Sequence, residues 1–117
     1  MNNTSELLNA QRAYFNGGET LGIAFRKAQL KKLYQAVTDN QQAIFDALHA
    51  DLNKSPFETY ETEIGIVLEE IRYLIAHLSK WAKPKRMSMP LTLFPATGTV
   101  HAEPYGCVLI MSPWNYP

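Results

Sequence analysis

The sequence predicts a mainly α chain with a small β portion, the N-terminal piece of an α/β fold. Three observations carry this. Four amphipathic helical patterns fill residues 1–86, the stretch 87–105 turns to proline, glycine and β-prone residues, and the chain closes on a smooth apolar run at 108–111. A short apolar run bounded by turn signals reads as a strand buried on both faces, as in a parallel sheet. Parallel neighbours arrive through crossovers of about a dozen residues or more. The sequence supplies none after Pro117, so the chain is expected to be cut where an α/β domain would begin.

Composition bounds the rest. The 117 residues are 46% hydrophobic and 19% charged, with Lys+Arg 11 balanced by Asp+Glu 11. One domain at most is expected, burying roughly 65% of its unfolded surface. Zero net charge offers no electrostatic basis for nucleic acid or an anionic membrane as partner. The apolar stretches fall far short of the roughly 20 residues that span a bilayer, so no membrane span is predicted. The N-terminus, Met-Asn-Asn-Thr-Ser-Glu, lacks the basic and apolar regions of a secretory signal. A single cysteine, Cys107, suits a reducing compartment, and a cytoplasmic location is expected.

The first helix is expected from Asn3, which can cap with Glu6 three residues on, to the Asn16-Gly17-Gly18 stop. Leu7, Ala10, Tyr14 and Phe15 recur along it at helical spacing. A second helix spans 23–37, with Leu30, Leu33, Tyr34 and Val37 on one stripe, until Asp39 and Asn40 punctuate the chain. Ile44, Leu48 and Leu52, joined by Phe45, mark a short third helix.

The sharpest start signal is Ser55-Pro56-Phe57-Glu58, which combines a Ser N-cap, Pro at the first helical position and the Glu of a capping box. From there Tyr60, Ile64, Val67, Leu68, Ile71, Leu74, Ile75, Leu78 and Trp81 keep a helical period. They predict one helix of about 25 residues, about 40 Å long. Glu58, Glu61 and Glu63 crowd its start and Lys80, Lys83, Lys85 and Arg86 its end, which complements the helix dipole before Pro84 stops it. Such a helix suits a layer lying across a larger body. Residues 87–105, with Pro90, a turn at 95–98 and weak alternation at 99–103, read as a β arm. Residues 106–117 read as a first strand, 107–111, and its following loop.

A buried parallel strand delivers the chain to the carboxyl edge of its sheet, where open α/β folds place ligands. Ser112, Pro113, Trp114 and Asn115 fall on that loop. The Asn115 amide can donate to a developing oxyanion without ionising, Trp114 offers a flat apolar wall, and Pro113 and Pro117 fix the backbone on either side. The same residues suit an ordinary turn and anchor, and taken alone they leave both readings open. Cys107 has no general base at recognisable spacing and reads as a buried apolar thiol. His49, His77 and His101 lack partners at zinc-like spacing, and no metal site is predicted. Glu69 and Glu70 read as a solvated helix face, and Tyr14, Phe15 and Tyr34 as packing residues.

The run at 103–117, Glu-Pro-Tyr-Gly-Cys-Val-Leu-Ile-Met-Ser-Pro-Trp-Asn-Tyr-Pro, resembles the segment leading into the cofactor-binding domain of aldehyde dehydrogenases. Phe25, Arg26, Gln29 and Leu30, and the stretch 50–55 with Phe57, are similar to the class 3 branch of that family. The resemblance implies an NAD- or NADP-dependent oxidation of an aldehyde to a carboxylic acid through a cysteine thiohemiacetal. It implies that Asn115 is the oxyanion donor and that Met111, Ser112, Pro113 and Trp114 lie along the nicotinamide side of a Rossmann-like cofactor pocket. It also implies that the arm is an oligomerisation element of a homodimer. The nucleophilic cysteine, the water-activating glutamate and the rest of the dinucleotide site have no match within the 117 residues, so this piece alone is expected to be inactive. The alternative is a self-contained helical interaction module that binds a partner through the apolar face of the long helix.

Overall fold

The computed structural model describes residues 4–117, and the chain in it is mainly helical. The order is α1 (Thr4–Asn16), α2 (Ile23–Asp39), α3 (Gln41–Leu52), α4 (Pro56–Thr59), a π turn (Tyr60–Ile64), α5 (Gly65–Trp81), β1 (Lys85–Met87), a 3-10 turn (Leu91–Leu93) and β2 (Gly98–Val100). The Asn3 cap expected for α1 lies outside the described residues. The helix ends at the glycine pair: Gly17 N–H donates to Ala13 O (3.0 Å), and Gly18 takes φ +83°, a left-handed conformation open to glycine.

Asn40 alone separates α2 from α3. Its backbone N–H (3.2 Å) and its side-chain amide (2.8 Å) both donate to Ala36 O, while its own carbonyl accepts from Ile44 N–H (3.0 Å). Asn53 closes α3 in the left-handed region at φ 54°, which Asn tolerates well. Two residues later Ser55 Oγ accepts from Glu58 N–H at 3.2 Å with Pro56 at the first helical position, the start the sequence predicts.

The predicted long helix forms as a continuous rod with one departure, the π turn. Gly65 N–H reaches Tyr60 O, an i to i−5 bond, and a Cβ at position 65 would lie 2.8 Å from that oxygen. The extra residue rotates the first turn relative to the rest. Thr59, not Tyr60, therefore shares the inward face with Ile64, Leu68 and Ile71, and Tyr60 is 48% exposed. This corrects the expected stripe at its first position. Val67 and Trp81, placed on the same stripe, are also exposed, as is Leu33 on α2.

The core sits where α2 packs on α5 and α3 on α4, with Leu48, Ile64, Leu68 and Ile71 buried. On its outer side Arg72 donates to the Tyr34 hydroxyl and to Glu69 (3.3 Å). The Tyr34 hydroxyl first, and Glu69 after it, favour the charged guanidinium and raise its pKa. Thr59 is 0% exposed, and its hydroxyl has no hydrogen-bond partner among the described residues. Thr59→Val keeps the shape and removes the orphaned hydroxyl, so it is expected to stabilise the fold by about 1 kcal/mol. A rise in the urea midpoint would show it; a fall would mean that the hydroxyl is satisfied.

The arm forms an antiparallel hairpin in which Lys85 faces Val100, Arg86 faces Thr99 and Met87 faces Gly98. The strand expected at 107–111 does not form. Val108, Leu109, Ile110 and Met111 are all exposed, and so is Cys107, which was expected to be buried. The reason is that a strand exists only through its ladder, and no described segment lies alongside to supply one. The segment is nonetheless tied to the helices: Gly106, at φ +92°, brings its backbone under the Phe15 ring, where a Cβ would come within 3.6 Å of ring carbon.

The consequence is an open body. Its radius of gyration is 19.9 Å, against about 13 Å for a compact chain of this length. Its accessible surface is 9843 Å², half as large again as the roughly 6,500 Å² of a compact protein of this mass. It buries about half of its unfolded surface, below the roughly 65% expected.

Candidate functional site

The candidate residues gather at the end of the chain, where the loop after 107–111 folds back on the start of the long helical rod. Residues 113–116 make a turn closed by Tyr116 N–H donating to Pro113 O at 3.3 Å. Two prolines frame the turn and limit its backbone. Met111 (85% exposed) and Trp114 (94% exposed) present their side chains to solvent, with Ser112 and Pro113 between them also exposed. Asn115 is exposed too, and its side-chain amide makes no hydrogen bond among the described residues. The structure thus brings all five candidates together on one loop. They share a surface rather than a cleft.

What holds the loop is a residue to which sequence reasoning attached no role. Lys54, only 7% exposed, donates from Nζ to the main-chain oxygen of Asn115 at 3.0 Å and to Glu63 Oε1 at 2.5 Å. The same ammonium lies 4.0 Å from the centroid of the Tyr116 ring. Local sequence explains the placement. The left-handed Asn53 ends α3 and Ser55 starts α4, so Lys54 sits alone at the corner, with its own carbonyl 3.3 Å from His49 Nδ1. Glu63 lies on the π turn, beside Ile64. The one available signal was Lys54 itself, a cation at a helix junction with an acid nine residues ahead. The π turn that decides where Glu63 lies has no such signal.

Beside this anchor runs an apolar groove of about 460 Å³, whose lining includes Ile44, Leu48, Ile64, Val67, Glu63 and Pro117. Met111, Ser112, Pro113 and Trp114 form an exposed strip. It offers an open indole face against which a planar ring can rest and one hydroxyl for orientation. None of these four residues is charged. Among the described residues no group of three His, Cys, Asp or Glu is placed to hold a metal, and no helix is long and apolar enough to cross a membrane.

Known proteins resemble this chain in sequence and fold. The aldehyde dehydrogenase family matches the chain over residues 2–117. The 4,4'-diaponeurosporen-aldehyde dehydrogenase of Staphylococcus aureus is 46% identical over 106 residues, covering 91% of this chain and 23% of that protein. Aldehyde dehydrogenase family 3 member F1 of Arabidopsis thaliana is 43% identical over 112 residues, covering 96% of this chain and 23% of its own length. A solved structure, the substrate-bound state of Staphylococcus aureus AldH, superposes on the whole chain with a TM-score of 0.96 at 44% identity, over 26% of its own length. The chain spans about a quarter of the length of the proteins it matches. At these identities, over nearly all of its residues, the chain belongs to the aldehyde dehydrogenase family, in its class 3 branch.

Proposed function

We propose that this chain is the N-terminal part of an NAD(P)-dependent aldehyde dehydrogenase that oxidises an aldehyde to its carboxylic acid. The observation that carries this reading is the loop 112–117, whose Asn115 keeps a free side-chain amide while its backbone is anchored through Lys54. A cysteine thiolate from elsewhere in the protein adds to the aldehyde carbonyl, and Asn115 donates an N–H to the oxygen as it becomes an oxyanion. The donor is neutral, so its contribution does not depend on a titration. Met111, Ser112, Pro113 and Trp114 flank and orient the nicotinamide end. NAD or NADP, when bound, supplies the hydride acceptor. Aldehyde, NAD(P)+ and water give acid, NAD(P)H and a proton.

The 19.9 Å radius and the thin core favour this reading over a self-contained helical module. A cytoplasmic homodimer joined through the arm completes it. Cys107, the one cysteine of the sequence, is exposed on the segment leading to the loop and has no hydrogen-bonded base among the described residues, so the 117 residues alone are expected to be inactive. The test is NAD(P)H formation from hexanal or benzaldehyde by a protein of full family length carrying this chain, with the 117-residue chain as control. Absence of turnover with every aldehyde and both cofactors would reject the proposal, and turnover by the short chain would reject its division of labour.

A further inference from the structure

The anchor beneath Asn115 joins residues 61 positions apart, and it is built around a buried cation. An ammonium has three N–H donors and strong hydration, so burying it is unfavourable unless partners replace the lost water. Around Lys54 there are three. The Glu63 carboxylate supplies the opposite charge, the Asn115 carbonyl a second acceptor, and the Tyr116 ring face a third favourable surface. Two of the three belong to the loop. The ammonium is therefore fully compensated only when the loop is docked, and the loop is docked in the orientation that offers the Asn115 oxygen.

That oxygen defines the peptide plane between Asn115 and Tyr116, and hence the backbone from which the Asn115 side chain projects. Oxyanion donation needs the amide within about 2.7–3.1 Å of the charge that develops, and a displacement of about 1 Å costs about a hundredfold in rate. We infer that Lys54, held by Glu63, is a positioning residue that sets the aim of the Asn115 amide, so that the helical layer acts on the chemistry through one buried ammonium. The inference rests on Asn115 being the oxyanion donor. Lys54 touches no reacting atom.

A double-mutant cycle tests it in a protein of full family length carrying this chain, with benzaldehyde and NADP+ as probes and the single-turnover acylation rate as readout. Lys54→Met is expected to slow acylation by about ten- to a hundredfold when Asn115 is present, and by less than about twofold in an Asn115→Ala background. The cofactor dissociation constant, read by fluorescence titration, is expected to stay within about threefold, because the 111–114 strip is untouched. Equal slowing in both backgrounds would make Lys54 merely structural and overturn the inference, as would no slowing in either. If Asn115→Ala itself leaves acylation unchanged, the donor reading falls and the inference with it, an outcome distinct from failure of Lys54 alone. Should Lys54→Met give no soluble protein, Glu63→Gln runs the same cycle. It keeps an acceptor for Nζ and removes the charge, with about three- to tenfold slowing expected only when Asn115 is present.

Discussion

Asn115→Ala, in a protein of full family length that carries this chain, is expected to lower kcat by about a hundredfold or more, the loss typical of removing one oxyanion donor. In energy that is on the order of 3 kcal/mol of transition-state stabilisation. The substitution is a clean one. Lys54 bonds to the main-chain oxygen of Asn115, which alanine retains, so the loop stays docked while the amide is lost. The neighbouring Met111, Ser112, Pro113 and Trp114 are unchanged, and cofactor affinity is expected to hold. Because the lost bond forms only as the oxyanion develops, kcat and kcat/KM should fall together. Single-turnover acylation is the measurement, and a wild-type rate would remove Asn115 from the mechanism.

Ile71→Ala is expected to destabilise the fold by about 2–5 kcal/mol, since it deletes a buried branched side chain and leaves a cavity. Ile71 is 4% exposed on α5, which packs on α2, and only Leu48, Ile64 and Leu68 share the buried apolar core among the described residues. A core this small cannot redistribute the loss. The urea midpoint should fall clearly, whereas Glu70→Ala, on the exposed face one residue away, should move stability by less than about 0.5 kcal/mol. Similar shifts for the two would place the core elsewhere. The effect reaches the site indirectly. Glu63 and Ile64 lie on the π turn immediately before α5 in this same rod, so its packing sets where Lys54 finds its partner.

The helical part of the fold was legible because its information is local. Glycines at 17 and 18, Asn40 and the Ser55-Pro56 pair act within three or four residues, and each marks an observed helix end or start. The π turn was not legible. It needs Gly65 and Tyr60 O to approach across five residues, a choice that leaves the hydrophobic period of the sequence unchanged while exchanging Tyr60 for Thr59 on the inward face. The run 107–111 shows the opposite failure. Its composition is that of a buried strand, but burial and a ladder are properties of neighbours, and none lies beside it among the described residues.

The site divides along the same line. Residue types and their order offered Ser112, Pro113, Trp114 and Asn115 as either a wall with a neutral donor or an ordinary turn, and only the resemblance to a family added Met111 and favoured the first. Where the donor is held could not be read that way. Lys54 meets Glu63 across the start of the long rod and Asn115 across 61 residues, and a buried ammonium finds its partners in space, not along the sequence. Short-range chemistry wrote the helices and the residues of the terminal loop, and desolvation of one cation, settled by packing, joined them.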